Sequence, residues 1–324
     1  MTDKGKSIDG LMRHIRDEHS IHIGGSKNKR SLTNMGYFHG YKAYRFKGNN
    51  RTLLPINDFS QIEAIHKLDN DLKNLLYPVL MRYETSFKNN LIDVLVSNNQ
   101  TLTDDIIVHK LNEYKEHAGN ARNKILQHNL DFRKMMYQAL SGAYGNNRAV
   151  THYYDQDKPL PIWVVFEVLT LGQIATFASL LNTNTKISFA INLGIYDEIN
   201  DPKAKLLVEH IYIINSLRNS VAHNNIIFDG RFKTRSIERK VIKDLSHKFN
   251  IAQQEVNFNT VTDYFALLIM YDKAFKTNKT TLNHLVLEYS KIIEEFRDKI
   301  GAEIFSSIFG TNTKAKIKAI SEYI

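Results

Sequence analysis

The chain contains no cysteine. Disulfide staples, thiolate metal sites and a cysteine nucleophile are thereby excluded. Proline is scarce, at 5 in 324 residues, and apolar residues run along the whole chain, which argues against extended disorder. Long hydrophobic runs are missing too. The longest, residues 160–172, is interrupted by Glu167 and falls short of the about 20 residues that a bilayer span needs. The opening residues, Met1-Thr2-Asp3-Lys4-Gly5-Lys6, hold no apolar signal-peptide core. A cytoplasmic protein with no membrane partner is therefore expected. The sequence has no Gly-rich phosphate loop, no His-Glu-x-x-His pair and no paired-aspartate calcium loop. Its 13 histidines show no metal-ligand spacing. No metal and no cofactor are expected.

What is present is an ordinary globular balance, 43% hydrophobic and 24% charged. The length allows one large domain or two, each able to bury a core. The formal net charge of +9 attracts polyanions such as nucleic acid. Part of that excess is compositional, because Lys, Asn and Ile are abundant throughout.

Residues up to about 55 are mixed in character. They hold the polar segment Gly24-Gly25-Ser26-Lys27-Asn28-Lys29-Arg30 and then Tyr37, Phe38, Tyr41, Tyr44 and Phe46. Arg45 and Lys47 interleave with these rings, which could stack single-stranded RNA or pack a core. After Pro55, apolar residues from Ile62 to Val94 recur at three- and four-residue spacing, a single stripe along a long helix that Pro78 could kink or split. Further helices are expected over residues 106–114, around 132–140, over 162–181 behind Pro159-Leu160-Pro161, and over 206–217. Residues 224–235 read as a loop with a turn at Asp229-Gly230. Residues 261–275 and 282–296 form two more amphipathic helices. No sustained two-residue alternation occurs, so the fold class is all-α, a helical bundle. A soft boundary divides residues 1–245 from a C-terminal helical extension at 246–324.

Metal-free RNA chemistry needs a base and a cation. A neutral imidazole can take the proton of a ribose 2′-OH, and a guanidinium can hold the charge growing on the phosphoryl oxygens. An ordinary imidazole, titrating near ~6.5, suits that work at neutral pH. Arg13/His19, Arg16/His22, Arg122/His128 and Arg218/His223 each place a His five to seven residues after an Arg. With 14 Arg and 13 His, about two such pairs arise by chance, so spacing alone decides nothing. Two of the four open with Arg-Asn. Arg122-Asn123, followed by Lys124, sits in a polar run. Arg218-Asn219 follows the packed segment Ile211-Tyr212-Ile213-Ile214-Asn215-Ser216-Leu217. Five residues along a helix turn by about 140° and rise ~7.5 Å. The Arg218 and His223 side chains would therefore diverge unless a helix break, long reach or a second copy joined them.

Ser216-Leu217-Arg218-Asn219-Ser220-Val221-Ala222-His223-Asn224-Asn225 resembles the Arg-Asn-x-x-Ala-His signature of the abortive-infection (Abi) proteins, part of the HEPN superfamily of helical ribonucleases. The block from Pro161 through Trp163 and Glu167 to Gly172 is similar to that family's Pro-x-Trp-x-x-x-Glu-x-x-x-x-Gly block. Residues 59–89, with Asp69, Leu72 and Arg82-Tyr83-Glu84, resemble its N-terminal helix pair, and Tyr37-Phe38-His39-Gly40-Tyr41 its Gly-Tyr segment. The likeness covers about residues 30–235. It implies an HEPN-like core and a metal-independent endoribonuclease, acting as a toxin in anti-phage defence and leaving a 2′,3′-cyclic phosphate. It implies a homodimer in which two copies share one cleft. Arg218 would bind phosphate, His223 would be the acid and base, and Asn219 would hydrogen-bond near the site or cap the next helix. Glu84 and Glu167, each in an apolar helix, would need a partner, as a structural ion pair or by orienting the Arg/His pair. Trp163 reads as core. Arg122, Lys124 and Asn224 are candidate RNA contacts. RNA is the expected substrate, and because some members of the family are restrained by a structured small RNA, such an RNA is a further candidate partner. The alternatives are a non-catalytic RNA-binding defence protein and a helical adaptor that senses a phage component.

Overall fold

The computed structural model describes residues 5–48, 51–96, 101–233 and 235–324. Among them the fold is all-α. The first half holds α1 (Ile8–His19), α2 (Gly25–Met35), α3 (Phe59–Val96), α4 (Thr103–Lys110), α5 (Gly119–Ala143), α6 (Arg148–Asp155), α7 (Ile162–Val168) and α8 (Leu171–Leu180). The rest holds α9 (Thr183–Asn192), α10 (Lys205–Ala222), α11 (Arg239–Phe249), α12 (Val261–Ala274), α13 (Lys279–Ile300), α14 (Ala302–Phe309) and α15 (Thr313–Tyr323). The strand content among the described residues is one short antiparallel pair, β1 (Phe46–Lys47) and β2 (Thr52–Leu53).

The spine is α3, 38 residues long. Its apolar stripe, from Ile62 through Leu72, Val79 and Phe87 to Leu95, is buried. Pro78 neither splits nor ends it. The proline lies on the exposed face, where a lost helical hydrogen bond stays open to water. α13, α9, α10 and α12 pack along this spine. Every residue of α12 from Val261 to Asp272 is buried, the pattern of a helix enclosed on all sides. Residues 246–324 thus supply the most enclosed helix of the bundle. Asp272 in α12 sits against Arg82 of α3, and burial pushes its carboxyl up against that guanidinium's pull.

Three expectations need correction. The single helix expected over residues 162–181 is two. Leu169 is extended, and Thr170 starts α8 with a reciprocal cap in which Gln173 N donates to Thr170 Oγ1 and the Gln173 side chain accepts from Thr170 N. Trp163 is not core but 46% exposed. The mixed N-terminal region contains α1 and α2, followed by a π-helical segment Tyr37–Lys42. Gly40 is required in that segment, because a Cβ there would lie 2.4 Å from the Met35 carbonyl oxygen.

His19 and His210 are held neutral by their surroundings. His19 Nδ1 lies 2.7 Å from the Tyr41 hydroxyl. Burial, then the charge of Arg45, lowers its pKa from 6.5 to about 4. His210 of α10 is fully buried against Tyr271, and burial holds it well below the usual histidine range. Unfolding frees both rings to bind protons that the fold refuses. Below pH 6.5 the unfolded state therefore gains protons first, so this contribution to stability is lost as pH falls toward 4. The thermal midpoint should be lower at pH 5 than at pH 7, and His19→Gln should narrow the difference. An unchanged difference in that variant would assign the loss elsewhere.

Candidate functional site

The motif helix α10 is set at both ends. At its start, the Asp201 carboxylate accepts from Lys205 N at 2.9 Å and Leu206 N at 2.6 Å, a favourable charge at a helix N-terminus. At its end, Asn224 takes a left-handed φ of 54°. There Asn225 N donates to Ser220 O and Asn224 N to Val221 O, which closes the helix in a Schellman motif. Asn is one of the few residues other than Gly that tolerates this conformation. Along its length α10 packs on α8 and α3. Gly172 of α8 lies against Asn215, where a Cβ would come within 3.2 Å of Nδ2. The glycine of the Pro-x-Trp block thus lets α8 approach the motif helix closely.

The helix end is also tied to the spine. Asp69 is fully buried. It accepts from Ile227 N at 2.7 Å, Phe228 N at 2.8 Å and the Tyr44 hydroxyl at 2.9 Å. It also pairs with Lys73 Nζ at 2.6 Å, and Lys73 in turn donates to Asn224 Oδ1 at 2.9 Å. One carboxylate therefore fixes the turn after His223, the spine and the N-terminal aromatic segment.

Arg218 and His223 face different surroundings. Arg218 Nε donates to Glu84 Oε2 at 3.0 Å, and Lys88 pairs with the other Glu84 oxygen at 3.0 Å. This chain of charges lines a cleft of about 410 Å³ with Trp163 and Glu167. Glu167 is exposed, not enclosed as its apolar helix suggests, and forms no ion pair among the described residues. His223 is the exposed C-cap residue of α10. Its ring has no hydrogen-bond partner among the described residues, and it does not line the Arg218 cleft. No break separates the two residues, since α10 runs unbroken to Ala222. Asn219 lies within α10 and caps no following helix. It accepts from Arg218 at 3.4 Å.

Asn219 also opens onto a second and larger cleft, of about 630 Å³. Its walls carry six asparagines: Asn215 and Asn219 from α10, Asn224 and Asn225 beyond it, Asn70 from α3 and Asn34 from α2. His39 and His66 also line it. No carboxylate lines it among the described residues. Sequence reasoning found Asn219 and Asn224 here and missed the others. The signal for Lys73 was the i,i+4 spacing from Asp69, but nothing in the sequence marked Asn34 or Asn215. Arg122 and Lys124 lie exposed in the first turns of α5, with Arg122 over the Tyr114 ring, and they line neither cleft. Among the described residues, no group of three or more His, Asp or Glu could hold a metal ion, and no helix is long and apolar enough to cross a membrane.

A family model described as Abi-like protein matches residues 30–229. The chain belongs to the Abi-like protein family. That membership points to a role in abortive-infection defence. The match spans the π-helical segment, the spine, the Pro-x-Trp block and the whole motif helix. No curated protein and no solved structure matches the chain.

Proposed function

We propose that this Abi-like protein is a metal-independent endoribonuclease that acts as a toxin in anti-phage defence. The observation that carries the reading is the split of Arg218 and His223. Arg218 stands in the last turns of α10 and His223 at its C-cap, yet Arg218 is half-buried against Glu84 while His223 projects into solvent. Each chain then presents half of two sites, and a second copy supplies the complement. Glu84 holds the Arg218 fork in place and leaves further guanidinium donors for phosphate.

In the reaction, His223 takes the proton from a ribose 2′-OH and O2′ attacks the adjacent phosphorus. The phosphorus–O5′ bond breaks, Arg218 holds the charge on the non-bridging oxygens, and O5′ takes up a proton. The products are a 2′,3′-cyclic phosphate end and a 5′-hydroxyl end. Nothing in these steps requires a metal, so cleavage in EDTA is expected to continue.

A mixing experiment tests the shared site. Arg218→Ala and His223→Ala proteins should each be inactive, and co-expression of the two should restore cleavage, because a mixed pair regains one intact site. Restored activity supports the dimer. Two inactive variants that stay inactive when mixed would overturn a site that pairs Arg218 of one copy with His223 of the other. The amide-lined cleft favours a second reading, in which the protein holds a structured small RNA without cutting it. Cleavage that survives removal of both Arg218 and His223 would remove the proposed chemistry, and RNA that co-purifies regardless of those changes with a protein that cuts none would favour the second.

A further inference from the structure

The larger cleft beside the motif helix has a chemistry of its own. Its floor on α10 is a stripe of Asn215, Ser216, Asn219 and Ser220, which share a face by their i,i+4 spacing. Across it stand Asn34 and His39, both exposed, with no side-chain partner among the described residues. The side chains of Asn215 and Asn225 likewise make no hydrogen bond among the described residues. Several amide groups, each a donor beside an acceptor, thus face one cavity with their bonds unmade.

The charged groups are already engaged or missing. Arg231 lines the cleft, but its guanidinium is held by Asp229 and by the Ala43 and Phe46 carbonyls. Burial lowers the His66 pKa against the opposing pull of Asp69, so its ring enters as a neutral donor and acceptor. A pocket of neutral paired donors and acceptors does not suit a phosphate, which calls for cations. It suits the edge of a nucleobase. Asparagine is the side chain whose amide matches the adjacent N6 donor and N7 acceptor of adenine. Cytosine's amino group favours a carboxylate and guanine's acceptor pair favours a free Arg or Lys, and the cleft offers neither. Phe232 and the imidazoles of His39 and His66 add ring faces for stacking.

Position links this cleft to the proposed chemistry. Asn219 lines it while accepting from Arg218, so a base lodged here lies one residue from the group that would hold the phosphate. We propose that the cleft is a base-recognition subsite, which holds one unpaired adenine of single-stranded RNA beside the scissile phosphate. The cleavage part of this inference rests on the nuclease reading. Recognition of the base does not.

The test separates the two. The Arg218→Ala/His223→Ala protein is titrated with AMP and with CMP, followed by the imidazole and amide NMR signals. AMP should bind at least about tenfold more tightly than CMP. Asn34→Leu and His39→Leu, at exposed positions without side-chain partners, should each weaken AMP binding several-fold while the thermal midpoint holds. In the otherwise unchanged protein, the same two substitutions should flatten an adenine preference at mapped cleavage ends. Equal binding of AMP and CMP, no AMP binding at millimolar concentration, or AMP binding indifferent to both substitutions would overturn the subsite. Selective AMP binding in a protein that cuts no RNA would keep the subsite and remove the nuclease reading.

Discussion

RNA cleavage should fall by about 10²- to 10⁴-fold when His223 is replaced by Ala, the range that one general acid or base contributes. Arg218→Ala should cost a similar factor, near the ~10²–10³ for removal of one preorganised donor to a developing oxyanion. The double variant should fall little further than either single one, because residues acting on one transition state are not additive. Arg218→Lys is the sharper control. It keeps the charge but loses the planar fork that binds Glu84 through Nε and leaves other donors for phosphate, so it should recover only a small part of the loss. Single-turnover cleavage of a labelled RNA measures all four. A fully active His223→Ala would remove the proposed chemistry outright. A fully active Arg218→Lys would reduce Arg218 to a point charge.

Asp69→Ala should be the most destabilising single change outside the apolar core. It strands a buried lysine whose side chain is only 10% exposed and leaves two buried backbone N–H groups, those of Ile227 and Phe228, without an acceptor. Removing one partner of a buried ion pair costs about 3–5 kcal/mol. At ~1.5 °C per kcal/mol for a chain of 324 residues, the thermal midpoint should drop by about 4–7 °C. Asp69→Asn keeps an acceptor and should cost less. Adding Lys73→Met to Asp69→Ala removes the stranded charge and should recover part of the loss. A midpoint within 2 °C of the parent, by about the same conversion, would show that the turn after His223 is held by other contacts. Because that turn carries Asn224 and Asn225 into the amide-lined cleft, Asp69→Ala should also loosen any ligand bound there.

Periodicity made the bundle legible. The stripe from Ile62 to Val94 marked α3, and the apolar run before Arg218 marked α10, because each buries one continuous face. Shorter elements escaped. α1 and α2 carry only one buried residue each, Ile15 and Leu32, too few for a recurring pattern. The break at Leu169-Thr170 hid inside an apolar run because its signal is a Thr/Gln cap rather than a change in hydropathy. At the candidate site, the sequence pointed to Arg218, His223 and Glu84, and what it misjudged was the exposure of their neighbours. Trp163 and Glu167 sit four apart on one face of a helix whose other faces are buried, and a continuous apolar neighbourhood conceals which side looks outward. The amide-lined cleft was invisible for a different reason. Its asparagines come from α2, α3 and α10, and only the tertiary fold gathers them.

The spine α3 carries Asp69, Lys73 and Glu84 on one unbroken run of helix. The anchor of the turn after His223 and the partner of Arg218 are therefore fixed relative to each other by helical phase, not by separate loops. A single residue inserted between Lys73 and Glu84 would rotate one against the other by about 100° and shift them by ~1.5 Å. Most of the stripe would repack at modest cost, but Glu84 would swing away from Arg218. The geometry of the candidate site is thus written as a count of residues along one helix, and variation that changes length there moves Glu84 relative to the turn after His223.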